Sequence, residues 1–109
     1  MTAVIVTFQF DDSVDVGKVR KVAEDSQSRF QEMPGLRSKT FCIDQNSSAA
    51  IHFYVWESRA SAEAFFTEQL VVRVSELYGV TPSVRYLDVV ALVDNAVASG
   101  NTAAERLPA

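Results

Sequence analysis

Cysteine, histidine and tryptophan each occur once in these 109 residues, as Cys42, His52 and Trp56. A lone cysteine excludes an intramolecular disulfide and a cysteine-built metal site, and with a single histidine there are too few ligands for zinc. The four glycines, Gly17, Gly35, Gly79 and Gly100, stand apart from one another. No glycine-rich loop is therefore present to cradle a phosphate. Positive charge is also sparse. Ten Lys and Arg against fourteen Asp and Glu leave a net charge of −4, and the tightest basic group is Lys18, Arg20 and Lys21. That is not the basic footprint of a nucleic-acid-binding surface. Long hydrophobic runs are missing too. The longest uncharged apolar run, Val89 to Val93, is far short of the ~20 residues that span a bilayer. The amino terminus, Met1 to Ile5, has neither the basic region nor the apolar segment of a signal peptide. The expectation is a soluble, cytoplasmic protein with neither nucleic acid nor membrane as a partner.

What the chain does have is hydrophobic substance, 48% of its residues, enough for the core of one domain. Residues 3–10 alternate Val4, Val6, Phe8 and Phe10 against Ala3, Ile5, Thr7 and Gln9, the period of a strand. Ser13 or Asp15 can then cap a helix, because either side chain can accept from the free amides of a first turn. Val16, Val19, Val22, Ala23, Phe30 and Met33 recur at helical spacing over about 17 to 20 residues, until Pro34-Gly35 stops the pattern. A second strand is expected at about 36–44, with Arg37 and Lys39 alternating with Leu36, Ser38 and Thr40. The turn cluster Asp44 to Ser48 joins it as a hairpin to a third strand, about Ala50 to Glu57. Ser58 starts a second helical segment, with a break expected near residue 70, where Val71, Val72 and Val74 lower helix propensity, and with Gly79 at its end. A fourth strand follows Pro82 and is expected to reach about Val93. Residues 94–109 carry no strong period and read as a flexible or loosely docked arm beyond a domain of residues 1–93.

The order βαββαβ predicts an α+β, ferredoxin-like domain: one four-stranded antiparallel sheet with helices on one face. The sheet's other face should be polar if it met water, yet the third strand is apolar or aromatic on both sides. An open apolar sheet face calls for a partner, and the simplest is a second copy in a C2 homodimer. The third strand is also the most informative stretch of the chain. Alternation puts His52, Tyr54 and Trp56 on one face and Ile51, Phe53 and Val55 on the other. The face that is aromatic and titratable is either a buried partner contact or the wall of a pocket.

This layout resembles the dimeric α+β barrel superfamily, and within it the antibiotic biosynthesis monooxygenases and the small monooxygenases related to them. The resemblance spans residues 3 to about 93. It is carried by Met33-Pro34-Gly35-Leu36 at the helix exit into strand two and by Val55-Trp56-Glu57-Ser58 followed by Ala60, Ala62, Ala64 and Phe65. It is also carried by a polar residue four positions before the tryptophan, often asparagine in the family and His52 here. The resemblance implies chemistry without flavin, metal or haem. A phenolic or enolic substrate, such as a polyketide-like polycyclic aromatic, loses a proton, passes an electron to O2 and recombines with it. Haem-degrading relatives use a histidine on the second helix, and residues 59–78 contain none.

On that expectation His52 and Trp56 are the candidate catalytic residues. Histidine titrates near neutrality and could take the phenolic proton, while Trp56 could pack on a ring and offer its indole N–H to an oxygen. Tyr54, Phe65, Arg85 and Tyr86 are the candidate substrate-binding residues, Arg85 as partner to an oxyanion. Plainer readings stand beside these: His52 as a structural or interface histidine, Trp56 as core, and Tyr54 as part of the dimer contact. In the same vein Phe65 and Phe66 would seal the helix–sheet core, Asp88 would be an edge or ion-paired residue, and Cys42 a small buried hydrophobe. The chain is thus either a cofactor-independent monooxygenase of a small aromatic, phenolic or quinol-like metabolite, or a non-catalytic dimeric module that binds a small ligand or serves a stress-response role. In this superfamily pockets lie on the helix side of the sheet. Oxygenase chemistry therefore requires His52 and Trp56 to turn toward the helices.

Overall fold

The structure is a computed structural model that describes residues 1–11 and 15–95. Its elements run β1 (Thr2–Gln9), α1 (Val16–Phe30), β2 (Leu36–Asp44), β3 (Ala49–Trp56), α2 (Arg59–Phe65), α3 (Glu68–Tyr78) and β4 (Ser83–Asp88). The four strands form one antiparallel sheet in the order β2-β3-β1-β4, the ferredoxin-like arrangement. Val6 lies opposite both His52 and Val84, and Val4 opposite both Tyr54 and Tyr86. Directly opposed residues share a face. One face therefore gathers Val4, Val6, Phe8, His52, Tyr54, Trp56, Val84 and Tyr86, and on it the buried cluster packs with Val19 of α1, Ala62 of α2 and Tyr78 of α3.

Local chemistry sets the ends of the elements. Asp15 caps α1 by accepting from the Lys18 amide at 3.1 Å; Ser13, the other candidate cap, lies outside the described residues. The helix stops at Phe30, shorter than expected, and the chain turns with Glu32 and Gly35 at positive φ, 58° and 81°. Pro34 bars the helical conformation to the residue before it, which brings the stop forward. In the hairpin turn the Asp44 carboxylate accepts from the amides of Asn46 and Ser47.

Three boundaries depart from expectation. The break in the second helical segment falls at Phe66–Thr67, not near residue 70, because the Thr67 hydroxyl accepts from the Leu70 amide and starts a new helix. β4 ends at Asp88 instead of running to Val93. Thr2 lies opposite Asp88, one further bond runs from the Val89 amide to the Met1 carbonyl at 3.1 Å, and beyond it Val90 and Val93 are exposed. Finally, β2 carries a bulge between Leu36 and Ser38. The extra residue, Arg37, brings Leu36 onto the same side as Lys39, Phe41 and Ile43, toward the helices. The tail expected as an arm lies, from residue 96 onward, outside the described residues.

Candidate functional site

A cavity of about 140 Å³ opens between the sheet and helices α1 and α3. Val6 and Phe8 of β1, Phe41 of β2, His52 and Tyr54 of β3, and Val84 of β4 floor it. Phe30 of α1, Phe65 and Phe66 at the α2 exit, and Leu70, Val74 and Tyr78 of α3 close it. The third strand thus turns its aromatic face toward the helices and not into an open seam.

His52 is buried, 4% exposed, among the rings of Phe8, Phe41 and Tyr78. Its Nε2 lies 3.3 Å from the Tyr78 hydroxyl. Which of the two donates depends on the imidazole tautomer. Burial, and secondarily the Lys39 charge, push the His52 pKa down to about 3. The ring is therefore neutral at physiological pH. This corrects the expectation of a histidine titrating near neutrality: His52 can hydrogen-bond an oxygen here, but it is a weak base for a phenol. Tyr78, raised by burial to about 12, keeps its proton. Tyr54 is likewise pushed up by burial and by Tyr78.

The basic group of the site is not among the residues expected from the sequence. Lys39 sits with its Nζ 3.6 Å from the Phe30 ring centroid, 4.2 Å from Phe41 and 4.6 Å from Tyr54. Burial, and then the nearby Arg29 charge, lower its pKa to about 7. Among the described residues it forms no ion pair with a carboxylate. Arg29 and Arg73 also border the cavity, and no Asp or Glu does among the described residues. The signal was present in the sequence: Lys39 shares its strand parity with Phe41 and Ile43, the apolar side of β2.

Of the expected site residues, the structure brings His52, Tyr54 and Phe65 together on the cavity and leaves three outside it. Trp56, 1% exposed, is stacked behind Tyr54 at 6.0 Å and walled by Phe65 and Phe66. Among the described residues its buried Nε1 has no hydrogen-bond partner, and Trp56 does not line the cavity. Tyr86 packs on Phe66 with the Arg59 guanidinium over its ring at 4.6 Å. Arg85 lies opposite Ile5, on the sheet face turned away from the helices. Asp88 is an exposed strand-end residue. Cys42, expected to be buried, is exposed on that same far face, because it pairs with Ile51. No described helix is long and apolar enough to cross a membrane. Among the described residues no cluster of three or more His, Cys, Asp or Glu is placed to hold a metal ion.

The chain has the ferredoxin-like α+β fold found in solved structures of antibiotic biosynthesis monooxygenases. Three solved structures illustrate the likeness. Rv0793 from Mycobacterium tuberculosis matches with a TM-score of 0.61 and 16% identity, over 85% of this chain and 98% of that one. The monooxygenase from the gene ActVA-Orf6 of Streptomyces coelicolor, in complex with nanaomycin D, gives 0.60 and 20% over 85% and 90%. A variant of SnoaB, a cofactor-independent oxygenase from Streptomyces nogalater, gives 0.60 and 12% over 84% and 95%. No family model matches the sequence, and neither does any curated protein.

Proposed function

We propose that this protein is a cofactor-independent monooxygenase that oxidises a small aromatic, phenolic or quinol-like metabolite with O2. The observation that carries this is the aromatic-walled cavity on the helix side of the sheet, with His52 in its floor and a basic amine in its wall. The similarity to a Streptomyces monooxygenase and to a cofactor-independent oxygenase supports it. In such a reaction the substrate gives up a proton and becomes electron-rich, then passes an electron to O2. Recombination forms a carbon–oxygen bond, and the resulting peroxide collapses with loss of water to a quinone or ketone. The protein's share is to hold the ring, manage the proton and keep water from the intermediates. Phe65 and Tyr54 supply ring faces, and the neutral His52 holds a substrate oxygen by a hydrogen bond. Trp56 acts from behind, as the surface against which Tyr54 is fixed.

Oxygen uptake with a panel of hydroquinones and anthrones tests this. The expected result is uptake above the uncatalysed rate, lowered about tenfold or more by His52→Ala. Uptake no faster than the uncatalysed rate across the panel would overturn it, and ligand binding without uptake would make the chain a non-catalytic binding module.

Two copies of the chain pair, on this proposal, through the sheet face opposite the cavity. Ile5, Ile51, Phe53 and Leu87 lie on that face, and Phe53 is 38% exposed at its centre, an apolar surface that water does not favour. Light scattering at micromolar concentration is expected to give a dimer for the native chain and a monomer for Phe53→Lys. A monomeric native chain contradicts the pairing.

A further inference from the structure

We propose that the cavity binds a single-ring phenol or hydroquinone as its phenolate, with the Lys39 ammonium as the counter-ion. Choosing a phenol over another aromatic acid rests on the oxygenase reading above.

Size decides the ring count. A void of about 150 Å³ lined by hydrocarbon side chains accepts one benzene ring. The cavity here measures about 140 Å³ and is walled mostly by aromatic and aliphatic groups. Three fused rings would not fit in this space alone and would extend past Lys39, Phe41 and His52 into the open hollow of about 630 Å³ between α1 and β2. A single ring is therefore the unit that the aromatic walls of this cavity hold without using that hollow.

Charge decides the substituent. The Lys39 ammonium rests against Phe30, Phe41 and Tyr54, and these three rings are also walls of the cavity. Ring faces attract a cation, but they replace only part of what it loses on leaving water. Arg29 adds a second positive charge nearby, and no carboxylate of the described residues pairs with Lys39. The site lacks an anion, and the ligand is the group that can bring one. A phenolate sets its ring among the aromatic walls and its oxygen beside Nζ. A carboxylate in the wall would repel such a ligand, and the cavity shows none among the described residues.

The proton step is balanced within the pair. With the amine neutral, the phenol O–H bond breaks as an N–H bond forms on Nζ, leaving phenolate and ammonium side by side. The amine, lowered to about 7, is available in its neutral form near physiological pH. Contact with the phenolate then raises its hold on the proton and lowers that of the phenol. His52, neutral throughout, contributes hydrogen bonding and no competing charge.

Titration with 4-nitrophenol tests this, because its phenolate absorbs visible light and the phenol does not. At about pH 6 the free compound is mostly the neutral phenol and Lys39 mostly ammonium. Binding to the native chain is expected to raise the phenolate band. Lys39→Met is expected to abolish the rise and weaken binding about tenfold or more, while still taking up toluene, which shows that the cavity is intact. Binding without the phenolate band, an equal band in Lys39→Met, or no binding of the single-ring phenol would each overturn the assignment. Turnover is read separately. A phenolate band with no oxygen uptake from hydroquinone overturns the oxygenase reading and leaves the phenolate site standing. Uptake from an anthrone with no phenolate band does the reverse.

Discussion

Trp56→Ala is expected to lower the unfolding free energy by about 3–5 kcal/mol, the range for emptying a large aromatic site in a packed core. The indole is among the largest fully buried side chains, between Tyr54, Phe65 and Phe66, and it anchors the end of β3 under α2. A domain of this size is stable by only about 5–15 kcal/mol, so the loss is a large share of the total. The melting temperature should fall by about 15 °C or more. Trp56→Phe should cost much less, about 1–2 kcal/mol. It keeps a ring against the three neighbours and removes Nε1–H, a buried donor without a partner among the described residues. Urea unfolding of both variants checks the pair. A Trp56→Ala variant within about 1 kcal/mol of the native chain would contradict the packing described here.

Lys39→Met acts in the opposite direction: it should stabilise the free protein. An unfolded lysine keeps its proton up to about pH 10.5, whereas in the fold Lys39 releases it near 7. Between those values the unfolded chain holds the extra proton, so stability rises with pH across that window. Below about 7 both states are protonated and the whole cost of the buried ammonium is felt; above 10.5 it is gone. With partial solvent access allowed for, the cost at pH 6 is about 2 kcal/mol. Methionine fills the same space and makes favourable contacts with the surrounding rings. Thermal melts at several pH values should therefore show the variant more stable than the native chain at pH 6, with the difference closing as pH rises. A variant less stable at pH 6 would mean that the ammonium is satisfied in the free protein. A residue that weakens the fold while completing a ligand site is what a stability–function trade-off looks like at a single side chain.

Much of this was legible in the sequence. The alternation in β1 and β3 placed Val4, Val6 and Phe8 on one side and His52, Tyr54 and Trp56 together, and register between the strands joins the two sets. Sharing a strand face is not sharing a pocket. At about 3.3 Å per residue, His52 and Trp56 are roughly 13 Å apart, and Tyr54 stands between them. The face of Arg85 depends on the β1–β4 register, which no local pattern reveals. The apolar run Val89 to Val93 suggests a longer β4, but a strand also needs a neighbour, and β1 begins at Thr2. The β-branched valines point to a helix break near residue 70, whereas the hydroxyl of Thr67 fixes it earlier. Lys39 is hard to place from sequence for a related reason. A lysine suggests a solvated face, and only its parity with Phe41 and Ile43 says otherwise. The titration of His52 was beyond reach, since it follows from burial by residues far apart in the chain.

A crystal structure of the protein with a bound single-ring hydroquinone is the most direct test of where this molecule does its chemistry. The ring is expected between Phe30, Phe41 and Tyr54 on the helix side of the sheet, with one oxygen within hydrogen-bond distance of Lys39 Nζ. A hydroquinone found instead on the opposite sheet face, beside Phe53 and Arg85, with the His52 cavity empty, would contradict the site.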